Sequence, residues 1–538
     1  MATPTEQGDL ANRPPSKQNL SDRHLALSIS KSTIFGVAAS ATQVGTRLIT
    51  VPIVIYHLGL GGYGIWSIIM TTAAYMRFGT AGVKSAFQKY VAEATETGDF
   101  QTANKLLSTG SFSMLILSIA GLIPVCVFSD ELARMSGVPF EFDHAAAGAI
   151  TVLALTLMIA NFGSAFEAIV MGAHRIDLVR KFNIATTVCE ALAIVTLLRL
   201  GYGLLAMALV MGTAELVYIF CCFLAARQIL PEIQLSIALF RRDVFPELVR
   251  FAGSYQLVAF LEVLYLAILP IFILRCFGAD YAGVYAVATR VAGSALLAQD
   301  ALILPLLSGG TVVFASGSVE RMNRFLERSL KAMLAVTLLP LAFVAAFGPT
   351  LVRAWTGEVG RVFGTAIALV ALANLLKAIS LLQLVLYRTT GKALLDNIRQ
   401  VLRIVLILGV ALLGTRLGFN GILTGLVVAE LAGVIFMFFA MSITFSGLSP
   451  RAIGRDAFRL VIATGIVLLA GFAVATFPIS GFASGRAAAA VKLCEVGVAC
   501  LLAAWPALTV TGSVSVEEQR LVLDAVMPWR RRSPATDE

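Results

Sequence analysis

Along the chain, long apolar stretches alternate with short polar ones. A helix needs about 20 apolar residues to cross the hydrocarbon core of a bilayer. Fourteen stretches reach that length: 32–57, 62–82, 106–128, 146–172, 181–200, 203–226, 251–274, 280–305, 329–352, 362–387, 394–415, 420–445, 457–478 and 488–510. The first two carry many small and hydroxyl residues, which suit close packing between helices or a wet cavity better than lipid. The pattern predicts an all-α polytopic membrane protein with about fourteen transmembrane helices.

Composition supports the same reading. Of 538 residues, 58% are hydrophobic and 14% charged, and the mean hydropathy is +0.86. A soluble domain carries roughly a quarter charged residues, because its surface must be solvated by water. The net charge of +9 raises the question of nucleic acid. The basic residues, however, fall in short clusters between apolar runs, as in cytoplasmic membrane loops, so no nucleic-acid partner is expected. With the N-terminus in the cytoplasm, thirty of the 41 Lys and Arg fall on the cytoplasmic side and eight on the other. The cytoplasmic clusters include Arg175, Arg180 and Lys181; Arg321, Arg324, Arg328 and Lys331; and Arg388, Lys392, Arg399 and Arg403. The opposite set is Arg134, Arg199, Arg275, Arg353, Arg361, Arg416, Arg486 and Lys492. A bias that alternates loop by loop predicts both termini in the cytoplasm.

Other chemistry is sparse. The seven cysteines lie in apolar stretches and form no CxxC or Cys/His pattern, which predicts neither a disulfide framework nor a zinc site. No HExxH is present, and Gly391-Lys392 lacks the spacing of a phosphate-binding loop, so neither cofactor nor ATP-driven transport is expected. Residues 1–31 are polar, contain Pro14 and Pro15, and lack the apolar core of a signal peptide. They predict a flexible cytoplasmic tail, with the first spanning helix as an uncleaved targeting signal. Residues 513–529 fit a short amphipathic helix. Ser515 and Glu518 form a capping box, Val516, Leu523, Val526 and Met527 share a face, and Trp529 with Arg530, Arg531 and Arg532 would suit an anionic leaflet.

The chain also carries an internal repeat. At an offset of 219, Gly59, Gly64, Ile65 and Trp66 meet Gly278, Gly283, Val284 and Tyr285, and Gly172 meets Gly391. At an offset of 217, Arg199-Leu200-Gly201-Tyr202 meets Arg416-Leu417-Gly418-Phe419. Glu215-Leu216 and Glu430-Leu431 match within the sixth and twelfth spans. The collinear set implies two six-helix halves inserted the same way up, a parallel repeat. The expected organisation is a tail at 1–31, a bundle at 32–226, a cytoplasmic linker at 227–250, a second bundle at 251–446, two additional helices within 447–512, and an amphipathic tail at 513–538. Two parallel bundles with a cleft between them suit an alternating-access transporter. That step rests on analogy between folds.

The stretch His57-Leu-Gly-Leu-Gly-Gly-Tyr-Gly-Ile-Trp66, and the basic and acidic loop ending in Gly98-Asp99, resemble the opening of the Wzx-type flippases. These are bacterial polysaccharide-biosynthesis membrane proteins of the multidrug/oligosaccharidyl-lipid/polysaccharide exporter superfamily. The matching positions are Gly59, Gly64, Ile65 and Trp66, then Lys84, Lys89, Glu93, Glu96, Gly98 and Asp99. The resemblance implies a secondary transporter, not an enzyme, in the bacterial inner membrane. Its passenger would be a lipid-linked glycan, usually on a polyprenyl pyrophosphate, and its neighbours the glycosyltransferases and polymerase of a polysaccharide pathway. The loop after the second span, Arg77-Phe-Gly-Thr-Ala-Gly-Val-Lys84, departs from the Gly…Asp-Arg-x-Gly-Arg-Arg pattern of major-facilitator proteins.

A charge at mid-bilayer costs on the order of 3 kcal/mol, so it should face protein or water. Apart from the cations assigned to the two sides, three lie within the expected spans: Arg47, Arg290 and Lys377. Gln43 lies one turn before Arg47, and Tyr255 shares a helical face with Glu262. One reading is a polar cavity in which Arg47, Arg290 and Lys377 attract phosphates, with Gln43 and Tyr255 nearby, while Glu262 carries a coupling proton. The plainer reading is that such charges pair across helices, for instance Arg47 with Glu262, and hold the bundles in register. Glu215 and Glu430, at matching repeat positions, fit a shared structural role. Three functions follow as alternatives: a flippase or exporter of lipid-linked or polymerised sugar, a multidrug antiporter of the same superfamily, or a non-transporting scaffold for glycan assembly. Three basic residues in the cavity would favour an anionic passenger over a cationic drug.

Overall fold

The computed structural model describes residues 17–74, 80–135, 137–173, 175–241, 245–297, 317–358, 360–389, 393–444, 450–476 and 485–513, with scattered positions between 299 and 314. Among these residues the chain is helical and no strand occurs. The helices are α1 (Lys17–Ala74), α2 (Thr80–Thr97), α3 (Phe100–Val127), α4 (Ser129–Met135), α5 (Asp143–Gly172), α6 (Ile176–Arg199), α7 (Leu204–Ile229), α8 (Phe245–Phe277), α9 (Ala279–Ser294), α10 (Val319–Thr356), α11 (Arg361–Thr389), α12 (Ala393–Thr444), α13 (Pro450–Thr476) and α14 (Gly485–Val510).

Ten helical segments among the described residues are long and apolar enough to cross a membrane, and the chain is a multi-pass membrane protein. Within the stretch 280–305, α9 supplies 16 residues, about 24 Å of helix, and part of the remainder lies outside the described residues. Beyond α9, Ala295 and Leu296 donate to Ala292 and Gly293, the tighter bonding of a helix that is ending. The polar stretch from Lys17 to Lys31, where the sequence predicts a flexible tail, belongs to α1. The amphipathic helix expected at 513–529 lies, beyond Ser513, outside the described residues.

The surface of these helices is inverted relative to a soluble protein. On α12 the polar residues Asp396, Arg399, Gln400 and Arg403, spaced i, i+3, i+4 and i+7, are buried, while Leu394, Ile398, Val401, Val405 and Leu412 are exposed. Leu412 is 81% exposed. In water such a helix would place its charges outward, since unpaired burial costs several kcal/mol and apolar exposure gains nothing. In lipid the arrangement is the stable one.

Two compact units form. The first comprises residues 1–57, 72–133 and 140–256; the second comprises 58–71, 134–139 and 257–538. In the first, α5 packs against α7, α3 and α2. Its core gathers Phe87, Val91, Leu107, Ile169 and Val179. In the second, α10 packs against α11, α13 and α14, and α11 against α12 and α9.

Breaks in the helices fall on glycines. Gly59 interrupts α1 at φ 73, ψ 171, Gly418 interrupts α12 at φ 69, ψ 177, and Gly278 precedes α9 at φ 91, ψ 177. That region of backbone space is essentially closed to residues with a Cβ. Gly201, between α6 and α7, has φ 86. Both members of the sequence-matched pairs Gly59/Gly278 and Gly201/Gly418 therefore adopt positive φ. The Gly98-Asp99 motif joins two helices. The Gly98 N–H donates to the Ala94 carbonyl at the end of α2, and Asp99 caps α3 by accepting from the Thr102 N–H at 3.1 Å. Hydrogen bonding from Thr102 holds the Asp99 carboxyl below its ordinary value.

The segment after α7 is strapped along α3. Asn104 donates to the Glu232 carbonyl and accepts from the Gln234 N–H, both at 2.9 Å. Ser108 accepts from the Ser236 N–H at 3.1 Å, and Thr109 from the Arg241 N–H at 3.0 Å. Three helix side chains thus replace a β-ladder for a segment without one. Asn104→Ala removes two of these bonds, about 1–2 kcal/mol of local anchoring. Trypsin is then expected to cut after Arg241 faster than in the unmodified protein; equal cleavage rates would show that the strap does not depend on Asn104.

Candidate functional site

The most concentrated chemistry among the described residues is a network of charges inside the second unit, built by α8, α11 and α12. α8 contributes Glu262 and Tyr265, one turn apart, and α11 contributes Lys377 and Ser380 at the same spacing. The first segment of α12 contributes Asp396, Arg399, Gln400 and Arg403, and the segment after the Gly418 break contributes Glu430. Spacings of three and four put each helix's members on one face.

Arg403 is the centre. Its Nη1 donates to Glu262 Oε2 at 3.3 Å and to Gln400 Oε1 at 2.6 Å, and its Nη2 donates to Glu430. Its guanidinium lies 3.9 Å from the ring centroid of Tyr265, a cation–π contact. The Tyr265 hydroxyl donates to Glu430 Oε1 at 2.6 Å. Glu262 also accepts from Lys377 Nζ at 2.8 Å and from Gln400 Nε2 at 2.6 Å. Alongside, Arg399 donates twice to Asp396 Oδ1, at 2.9 and 3.1 Å, and to Ser380 Oγ at 3.3 Å. Three acids face three bases, so the network is formally neutral. This arrangement makes burial tolerable, because an isolated ion here would carry its full desolvation penalty.

Exposure divides the network in two. The Arg403 and Glu430 side chains are 0% and 2% exposed, whereas Lys377 and Glu262 are 25% and 28% exposed. The inner pair is sealed. The outer pair is reachable, and Glu262 would keep Gln400 and Arg403 as donors if Lys377 turned elsewhere.

The six residues singled out from the sequence divide between the two units. Lys377 and Glu262 meet each other. Gln43 and Arg47 stand on α1 in the first unit. Gln43 Nε2 donates to Asn183 Oδ1 of α6 at 3.4 Å, and Arg47 is exposed and engaged in an interaction of its own. Arg290 is exposed on α9. Tyr255 lies on α8, and its side chain is outside the described residues. Glu262 is held by Lys377, Gln400 and Arg403. Arg399 and Arg403, counted with the loop cations, are instead 2% and 0% exposed inside α12. Glu167 pairs with Lys84 at 2.5 Å. Among the described residues, no group of three or more His, Cys, Asp or Glu is placed to hold a metal ion.

Comparison with known proteins follows the same direction. Residues 57–359 match the family described as polysaccharide biosynthesis protein. No curated protein matches the chain in sequence. Among solved structures, the fold is similar to that of the lipid II flippase MurJ in its inward closed conformation, with TM-score 0.65 and 12% identity, covering 89% of this chain and 99% of that one. It is also similar to the inward-facing conformation of a multidrug resistance MATE family transporter of the MOP superfamily, with TM-score 0.62 and 17% identity, covering 79% and 100%. A third likeness is to a MOP superfamily transporter from Pyrococcus furiosus whose binding pocket is described as of reverse polarity, with TM-score 0.55 and 16% identity, covering 79% and 95%. At these identities the likeness is one of fold.

Proposed function

The chain belongs to the polysaccharide biosynthesis protein family, and from that premise we propose that it is a secondary transporter that moves lipid-linked oligosaccharide across the bacterial inner membrane by alternating access. In this reading the fourteen apolar stretches all cross, both termini are cytoplasmic, and the two six-helix halves are parallel repeats. The observation that carries the proposal is the partly exposed Lys377–Glu262 pair at the edge of a sealed ionic network. A passenger with a pyrophosphate can compete with Glu262 for Lys377. Glu262 then keeps two donors, Gln400 and Arg403, so the exchange strands no charge. Arg47 and Arg290 would add positive charge along the path, with Gln43 and Tyr255 meeting the hydroxyl-rich sugar. For Glu262 to take up a coupling proton, Arg403 as well as Lys377 must release it.

The test is reconstitution in liposomes with a lipid-linked oligosaccharide, reading transfer by exposure of the glycan to an enzyme that cannot cross the membrane. The intact protein is expected to transfer it, and Lys377→Ala to lose roughly 10–100-fold, the worth of one hydrogen bond to a charged group. Full transfer by Lys377→Ala removes that residue from the mechanism. A protein that transfers no glycan but expels cationic dyes is the multidrug antiporter, a reading favoured by the likeness to the MATE transporter. One that does neither fits the scaffold.

A further inference from the structure

The N-terminal turns of α10 border a cavity that the transport reading does not use. It has a volume of about 550 Å³, and its described lining lies within the second unit. Three of its walls are arginines, Arg321, Arg324 and Arg328, and the apolar side is formed by Leu306, Val313 and Phe325. No Asp or Glu lines it among the described residues. Arg321, Phe325, Arg328 and Ala332 are spaced i, i+4, i+7 and i+11 and lie along one face of the helix.

The depth of this cavity follows from the helix itself. Residues 332–352 contain no Asp, Glu, Lys or Arg. At 1.5 Å per residue that stretch covers about 31 Å, the thickness of a hydrocarbon core. Arg328 therefore stands at the boundary, with Arg324 and Arg321 one and two turns beyond it in the headgroup layer. The helix begins at Ser318, whose hydroxyl accepts from the Arg321 N–H at 3.3 Å, so the positive end of the helix dipole faces the same layer. Arg324 is partly engaged by Glu320, one turn back, at 3.3 Å.

We propose that this cavity is a binding site for the headgroup of an anionic phospholipid, held by Arg321 and Arg328 with its upper acyl segment against Leu306 and Phe325. Guanidinium groups match phosphate oxygens two at a time, which an ammonium cannot do. The apolar wall distinguishes a lipid from a free phosphate, which would leave that wall wet. The site rests on the membrane reading of the chain and not on what the chain transports.

The experiment titrates the purified, delipidated full chain in detergent with phosphatidylglycerol and with phosphatidylcholine, counting bound lipids by native mass spectrometry. The intact protein is expected to hold one phosphatidylglycerol in preference to phosphatidylcholine. The Arg321→Gln/Arg328→Gln variant is expected to lose that preference by about thirtyfold, a factor of roughly five for each arginine. Arg451→Gln/Arg455→Gln, which removes exposed cations from another helix start, should leave it unchanged. The Arg321→Lys/Arg328→Lys variant keeps the charge and should retain part of the preference, which separates headgroup contact from misfolding. Equal preference in the glutamine variant and the intact protein overturns the site. So does inorganic pyrophosphate that displaces the lipid as effectively as phosphatidylglycerol does, since the cavity would then read phosphate alone.

Discussion

Replacing Arg403 with alanine is expected to destabilise the chain by about 3–5 kcal/mol, the cost of removing one partner from a buried ion pair. The residue is 0% exposed and bridges Glu262 and Glu430 while covering the ring of Tyr265. Without it Glu430 keeps only the Tyr265 hydroxyl as a donor, in a place where water is scarce. Lysine at 403 should rescue little, because one ammonium cannot satisfy two carboxylates and Gln400 in the fork geometry of a guanidinium. The double variant Arg403→Met/Glu430→Met should recover most of the loss, since it removes both charges and leaves Glu262 with Lys377 and Gln400. Thermal unfolding of the detergent-solubilised protein measures all three. If the alanine variant melts with the intact protein, the network is not what holds these helices.

How much of this was legible depended on which physical signal a residue carried. Hydropathy marks apolar stretches well, and a helix lies under each of the fourteen, although α9 is shorter than its stretch and Gly59 and Gly418 leave two pairs of stretches joined as α1 and α12. Gly59 and Gly278 were visible as a matched pair because a backbone conformation that only glycine tolerates leaves glycine in the sequence. The ionic network was mostly hidden. Glu262 and Lys377 are 115 positions apart, and spacing along one chain says nothing of which spans are neighbours. Arg403 was misplaced for a different reason. Charges near the end of an apolar stretch are assigned to the nearest loop, and Arg388, Lys392, Arg399 and Arg403 read as one basic loop. The stripe Asp396, Arg399, Gln400, Arg403 carried the correction, because it keeps helical spacing while Leu394, Ile398 and Val401 fill the other face. A polar stripe on an apolar helix points inward in lipid, whereas in water it points outward.

Gly283→Ala is expected to have the second large effect, and its reason is purely steric. In the second unit, the α1 segment after Gly59 crosses α9 with the two backbones in contact. A Cβ at Gly283 would sit 2.2 Å from the Leu60 carbonyl oxygen and 2.8 Å from Leu60 Cγ. A Cβ at Gly64 would sit 2.5 Å from the Gly283 nitrogen and 2.6 Å from the Ala279 carbonyl oxygen. These obstacles are largely main chain, so no rotamer change relieves them and the helices must separate. Overpacking of this kind costs about 1–3 kcal/mol or more, and in a membrane the close approach of backbones at small residues is itself a main source of attraction between helices. Gly293, nearly three turns further along α9, has nothing within 4 Å of its Cβ position. Gly293→Ala should be neutral or raise stability by about 0.5–1 kcal/mol, because alanine is the better helix former. The pair of variants is read together by thermal unfolding and by the amount of folded protein recovered from the membrane. A Gly283→Ala protein as stable as Gly293→Ala would mean that Gly64 and Gly283 do not touch. A large loss confined to Gly283 ties the sequence-matched glycines to a direct helix crossing, which is where a repeat would be expected to keep them.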